Sequence, residues 1–338
     1  MTTIRDVAAA AGVSITTVSH VLSGQGRIAA GTRERVLHTA SELGYRASVH
    51  AQQLVTRRSR TLAVQIANSV DASTTAALVP NSDYFLEVLN GAAEAAAERS
   101  YAVVLVPPDA GIDGLRGFGV DGVLLVDPRG DEPFFSGRWE DQPLVTTGRP
   151  ISPRRDVPVV VDNDLVAAAE LMVGHLAERG YRRPALITTD TSRSYTSDIR
   201  DGFVRAVREH GMEPLVVEVD EPPTLEGTAA ALGGLLDRTP PPDAVFTSSE
   251  NLALGVLHEA RNRGLDVPAG LGICSAVDSG SLQLTSPQIT GMFVHPRQVG
   301  QAAAAALIAL VEDGAAENRT IEVPVRLNAR ASTARAAS

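Results

Sequence analysis

The sequence predicts a small all-α head, a helix-turn-helix, followed by a larger α/β body of two doubly wound parallel sheets. Three observations carry this. Residues 1–46 hold three short helical patterns, with a glycine turn between the first two. From Thr61 onward apolar runs alternate with amphipathic patterns, the mark of parallel sheets with helices on both faces. Charge divides at the same place. Residues 1–60 carry eight arginines against Asp6, Glu34 and Glu42, a balance of +5, and the whole chain is −10, so the remainder is −15. A basic head on an acidic body points to a nucleic-acid partner for the head.

Within the head, Thr3 can cap a first helix that lines up Ile4, Val7, Ala8 and Ala11, and Gly12 ends it. Ser14 can accept a backbone N–H at the start of the second, VSITTVSHVL (13–22). Two Ser, two Thr and three Val make that stretch a weak helix former. Its Val18, Val21 and Leu22 nevertheless fall on one face, which leaves the hydroxyls and His20 outward. Val36, Ala40 and Leu43 form the inward stripe of a third helix before Gly44. Helix, glycine turn, helix is the helix-turn-helix layout. Its second helix enters the major groove, so Ser14, Ile15, Thr16, Thr17, Ser19 and His20 become candidate DNA contacts. Ile15 and the Thr methyls suit a thymine methyl, and the hydroxyls and imidazole suit base edges or phosphates. Residues 47–60 lack a core-sized apolar face and read as a linker that becomes helical only against a partner.

In the body, strands are expected at 62–67, 101–107, 122–126, 143–147, 158–161, 184–188, 214–219, 243–247 and 272–277. Helices are expected at 85–99, 164–179, 198–210, 224–238, 251–263 and 297–313. Residues 61–338 exceed what one doubly wound sheet needs. Two lobes follow, one of about 61–161 plus 289–322 and the other of about 162–288 plus 323–338. Ligands of such sheets bind beyond the carboxyl ends of the strands, here in the cleft between lobes.

Several function classes are excluded. A single cysteine, Cys274, rules out an internal disulfide framework and fits a reducing compartment. The N-terminus lacks a signal-peptide core, and no run approaches the ~18 apolar residues of a membrane span. The expected location is the cytoplasm, with the nucleoid. GFGVDG (117–122) precedes a strand rather than following one, so it is no dinucleotide fingerprint. The histidines show no metal-ligand spacing, and Asp162 and Asp164 around Asn163 read as helix capping. NRT (318–320) matches a glycosylation acceptor that has no meaning in a cytoplasmic chain. No catalytic constellation, cofactor or metal is expected.

The stretch TIRDVAAAAGVSITTVSHVLSGQGRIAAGTRERVLHTASELGYRASVHAQQL resembles, almost position for position, the DNA-binding head of the lactose-repressor (LacI/GalR) family. DVAxxAGVS, TVSxVL, TRxRV and ELGY fall at that family's spacings, and AVFTSSENLALGVLHEARNRGLDVP resembles its second-lobe signature. The resemblance implies a periplasmic-binding-protein-like body, a homodimer on a near-palindromic operator, and a small-molecule effector between the lobes. By position, Ile15, Thr16 and His20 would read bases. Thr3, Ser14, Ser19, Arg27, Thr32 and Tyr45 would touch or position on phosphates. Residues 48–56, with His50 and Ala51, would form a hinge helix that folds on DNA and wedges Leu54 into the minor groove.

The departures from the family are specific. His20 stands where most members have Arg, which gives guanine one hydrogen bond in place of two. Ser23 replaces an Asn, and Ala29 replaces the Ser that caps the third helix, leaving Thr32 or nothing to cap it. Ala47 replaces the hinge proline, which frees the unbound segment. In the body Ile199 takes the place of the sugar-binding Arg, with Arg200 one residue later. Ser249–Glu250 replaces an Asn-Asp pair, Val277–Asp278 an Asp pair, Gly148–Arg149 an Asp, and Val294 a polar residue before His295. Candidate effector contacts are Tyr84, Arg149, Tyr195, Arg200, Ser249, Glu250, Asp278 and His295. Lost hydroxyl partners weaken sugar binding, so a ligand poorer in hydroxyls, or in a different pose, is expected. ARASTARAAS (329–338) shows no leucine heptads, so the tetramer of some relatives is not expected.

The function expected is a ligand-modulated, sequence-specific regulator of transcription, most naturally a repressor and not an enzyme. The alternatives are a small-molecule-binding protein of the same body fold without DNA function, and an α/β enzyme.

Overall fold

The computed structural model describes residues 2–23, 28–45, 58–67, 82–107, 119–135, 139, 141–153, 155–190, 192–314 and 318–335. Its contacts separate two compact units, Met1–Arg60 and Thr61–Ser338. Among the described residues no helix is long and apolar enough to cross a membrane.

The head consists of α1 (Ile4–Ala11), α2 (Ile15–Ser23) and α3 (Ala30–Glu42). Gly12 turns the chain between the first two with a left-handed φ of 66°, a region costly to any side chain with a Cβ. Val7, Ala8, Ala11, Val18, Val21, Val36 and Ala40 bury together, with Ile4, Leu22 and Tyr45 packed against them. Leu43 departs from the expected stripe. It stands at the C-cap of α3, where the helix ends, and is 38% exposed. Ala29 makes no side-chain cap, so the first turn of α3 goes without one.

The body runs β1 (Thr61–Ile66), α4 (Asp83–Glu98), β2 (Ala102–Leu105), β3 (Gly122–Val126), β4 (Leu144–Thr147) and β5 (Val159–Asp162). It continues with α5 (Leu165–Glu178), β6 (Pro184–Thr188), α6 (Ser194–Glu209), β7 (Leu215–Glu218), α7 (Leu225–Leu236), β8 (Ala244–Thr247) and α8 (Glu250–Asn262). It closes with β9 (Gly272–Ser275), α9 (Gly280–Gln283), β10 (Thr290–Phe293), α10 (Pro296–Asp313), β11 (Arg319–Glu322) and β12 (Arg326–Asn328). One sheet is ordered β11-β5-β4-β3-β1-β2 and the other β12-β10-β9-β8-β6-β7. Every pairing is parallel except β10 with β12. The inner strands β3 and β6 are buried at every residue, as strands covered on both faces must be.

One lobe boundary needs correction. The return to the first lobe was expected at residue 289, yet β10 pairs with β9 in the second sheet. Ile289 and Met292 are fully buried in second-lobe clusters, so the chain crosses back only after Phe293. The lobes are thus joined three times: after β5, after β10, and between β11 and β12. Asn163, on the first crossing, donates from Nδ2 to Val294 O on the second (3.1 Å) and to Val323 O on the third (2.8 Å). One buried amide therefore ties all three.

Helices α4 and α10 cross so closely that glycine is required. A Cβ at Gly300 would lie 1.9 Å from Val88 O, and one at Gly91 would lie 2.0 Å from Arg297 O.

Candidate nucleic-acid interface and interlobe cleft

The exposed surface of the head centres on the start of α2. Ser14 Oγ accepts the Thr17 N–H at 3.0 Å and pairs with Thr17 Oγ1 at 2.9 Å, which caps the helix. Below, Val18 and Val21 are anchored in the core. Ile15 is 45% exposed, an unusual place for a large apolar side chain without a partner surface, and Thr16 and His20 are exposed beside it. Ser19 and Thr17 are half-buried. At the start of α1, Asp6 Oδ2 accepts from Thr3 N (2.7 Å) and Thr3 Oγ1 (2.8 Å), bonds that hold its carboxyl below the usual range. Thr32 is half-buried near the start of α3, and Tyr45 packs on the core. Arg27, His50, Ala51, Leu54 and most of the linker lie outside the described residues.

In the body, first-lobe residues beyond the strands' carboxyl ends meet second-lobe residues across the cleft. Asp127 follows β3, Arg149 follows β4, and Asp162 closes β5. Facing them are Arg193, Ser194 and Asp198 at the start of α6, and Glu221 past β7. Arg149 Nη2 donates to both Asp198 oxygens, at 2.7 and 2.9 Å, and Nη1 reaches Asp162 at 3.4 Å. The Arg149 N–H donates to Ser194 Oγ at 3.1 Å. Gly148 makes this approach possible. Its φ is +79°, and a Cβ there would stand 3.3 Å from Asp127 Oδ1.

Burial dominates the electrostatics. It raises Asp127 to about 7 against the opposing charge of Arg193, with Asp162 and Glu221 adding to the rise. It raises Asp162 to about 6, opposed by the Asn163 N–H and Arg149. It also pushes the Tyr195 hydroxyl up to about 12 and Tyr84 well above its ordinary range. Tyr84 packs against the cores of both lobes. The Asp127 carboxyl lies beside Gly148, where the cleft approaches the end of β3.

Tyr84, Arg149 and Tyr195 thus gather where the sequence reading put the effector. Arg200 does not. It points outward, 3.7 Å from Glu218, because the residues of α6 that meet the cleft are Ser194 and Asp198, while Ile199 fills the core. Asp278 is consumed: Arg330 bonds both its oxygens, at 2.7 and 2.5 Å, and Asn328 donates at 2.6 Å. Ser249 caps α8, accepting the Leu252 N–H at 3.4 Å, and Glu250 is buried, its Oε2 without a partner among the described residues. His295 takes a left-handed φ of 48° before α10, its ring 4.5 Å from Phe293. Asp164 does cap α5, accepting the Ala167 N–H at 2.9 Å, whereas Asp162 belongs to the cleft. Asp127, Arg193, Asp198 and Glu221 were not singled out. The position of Asp127 just past a buried strand was the available signal.

Comparison with known proteins identifies the assembly. Residues 3–48 match the model of bacterial regulatory proteins of the lacI family, and residues 173–333 match a periplasmic binding protein-like domain. The HTH-type transcriptional regulator CelR of Thermobifida fusca is 31% identical over 90% of this chain and 91% of its own length. The chain belongs to the lacI family. Among solved structures, a transcriptional regulator CelR–cellobiose complex superposes with TM-score 0.70 at 28% identity, covering 98% of this chain and all of that one. The lac repressor dimer bound to operator and the anti-inducer ONPF superposes with TM-score 0.74 at 22% identity, over 98% of this chain and 99% of that one, a likeness of fold. This lacI-family chain is a DNA-binding transcriptional regulator with an effector-binding body.

Proposed function

We propose that the protein is a cytoplasmic, nucleoid-associated repressor with no catalytic activity. As a homodimer it binds a near-palindromic operator, and a small molecule in the interlobe cleft sets its affinity. The observation that carries the reading is the exposed Ile15, Thr16 and His20 on a helix fixed from below by Val18 and Val21. Those three side chains read bases. Thr3, Ser14, Thr17, Ser19, Arg27, Thr32 and Tyr45 hold phosphates, and His50, Ala51 and Leu54 act at the central minor-groove step. The effector meets Tyr84, Arg149, Tyr195 and Asp127, with Ser249, Glu250 and His295 as further candidate contacts.

One solved structure of similar fold is a CelR–cellobiose complex. In this chain Asp278 is bound by Arg330, and the carboxylates of the cleft are Asp127 and Asp162. This supports a ligand that donates hydrogen bonds in a pose of its own. The test is a gel shift of the full-length chain on DNA flanking its gene, in rising salt. A discrete complex that weakens steeply with salt is expected, because each neutralised phosphate releases counterions. No complex at any salt, with or without candidate ligands, would contradict the proposal.

A further inference from the structure

Both lobes contribute both signs of charge to a network that spans the cleft. Arg149 of the first lobe holds Asp198 of the second through two hydrogen bonds, at 2.7 and 2.9 Å. Arg129 of the first lobe donates to Glu221 of the second at 3.3 Å. Arg193 of the second lobe donates to the Asp127 carbonyl of the first, and its Nε lies 3.4 Å from the same Glu221. Arg129, Glu221, Arg193 and Asp127 therefore form a continuous chain from lobe to lobe and back. Glu132 pins its first-lobe end by accepting the Arg129 and Gly130 N–H groups at 2.7 and 2.8 Å.

The links differ in accessibility. The Arg193 side chain is 4% exposed and Glu221 15%, so that part of the network is built into the structure. The Arg149 side chain is 51% exposed against 11% for Asp198, which places a solvent-facing guanidinium on a largely buried carboxylate. Such a contact opens by rotation of the arginine alone, without repacking either core. Opening it leaves Asp198 poorly solvated, which favours reclosure.

We propose that Arg149 and Asp198 form a releasable clasp that, together with the more buried Arg129–Glu221–Arg193 links, holds this end of the cleft, so that an effector entering it acts by displacing Arg149 from Asp198. This deepens the proposed reading of the cleft as the effector site and rests on it. In a two-lobed binding protein a ligand that bridges the lobes would supply the closing contacts. Here Arg149, Arg129 and Arg193 also contribute contacts between the lobes.

The test is hydrogen exchange at single-residue resolution on the full-length protein without ligand. The Arg149 N–H is the reporter, because its partner Ser194 Oγ lies on the other lobe. Slow exchange is expected in the wild type. Asp198→Asn and Arg149→Met should each speed exchange at this amide at least tenfold while β1 and β6 stay protected, and Arg149→Lys should fall between. A wild-type Arg149 amide as fast as an unstructured one overturns the proposal. So do variants that exchange like the wild type, or variants that speed β1 and β6 equally. Operator binding is measured on the same samples. Its absence in the wild type would refute the regulator reading and leave the exchange result standing.

Discussion

Replacing Asn163 with Ala should destabilise the body and loosen the join between its lobes. The Asn163 amide is 7% exposed and donates to Val294 O and Val323 O, each on a different crossing segment. Removing it leaves two carbonyls without this donor, at about 1–3 kcal/mol for each unsatisfied buried group. Carbonyl oxygens have a second lone pair, and water can enter the space left behind, so a total in the lower half of that range, about 2–4 kcal/mol, is expected. For a domain of this size that is a fall in Tm of roughly 5–15 °C. Asn163→Asp should be worse at neutral pH, since a carboxylate would face two carbonyl oxygens, and should recover partly on acidification as it regains a donor. Scanning calorimetry of the full chain measures both. A Tm for Asn163→Ala within 2 °C of wild type would refute the idea that this side chain ties the three crossings.

Three further outcomes are expected. Asp127 has its folded pKa raised to about 7 by burial, above the ordinary unfolded value, so the folded state keeps a proton the unfolded state has lost. Stability should therefore fall by about 1 kcal/mol from pH 6 to 8, and calorimetry should show Asp127→Asn to be flatter; an unchanged slope in that variant would count against it. His175, lowered by burial, acts in the opposite sense below its unfolded pKa of about 6.5, so the comparison is read mainly above that pH. Gly300→Ala forces a Cβ to 1.9 Å from Val88 O and should lower stability by about 1–3 kcal/mol, read as Tm; a neutral result would contradict the close crossing of α4 and α10. His20→Arg should shift base preference at one operator position in selected sequences while leaving Tm unchanged; identical selected sites would make His20 a bystander.

The head was legible because its signals are local. Thr3 and Ser14 are caps recognisable by residue type and distance to the next helix, and the core positions follow the helical period. Leu43 misled because the period says nothing about where the helix stops. In the body, the alternation of strands and helices was legible, but the membership of β10 was not. A short strand whose partner, β9, precedes it in the same sheet reads the same as one returning to the other lobe.

The cleft was legible only in part. Arg149 was visible as a departure at a strand end. The role of Arg200 depended on where α6 begins, four residues earlier than the sequence implied, and that start decides which residues meet the cleft. The capture of Asp278 by Arg330 joins residues 52 apart in sequence, and no local pattern encodes it. The resemblance supplied family positions for these residues, while the partners that occupy them are set by the tertiary fold.

The central claim is that paired heads read a two-fold operator through α2. In vitro selection from random duplex DNA with the full-length chain tests it directly. The account predicts enrichment of a near-palindromic site with two half-sites, bound by wild type and lost in an Ile15→Ala, Thr16→Ala double variant that keeps its Tm. Enrichment of no motif, or a motif the double variant binds equally well, would contradict it.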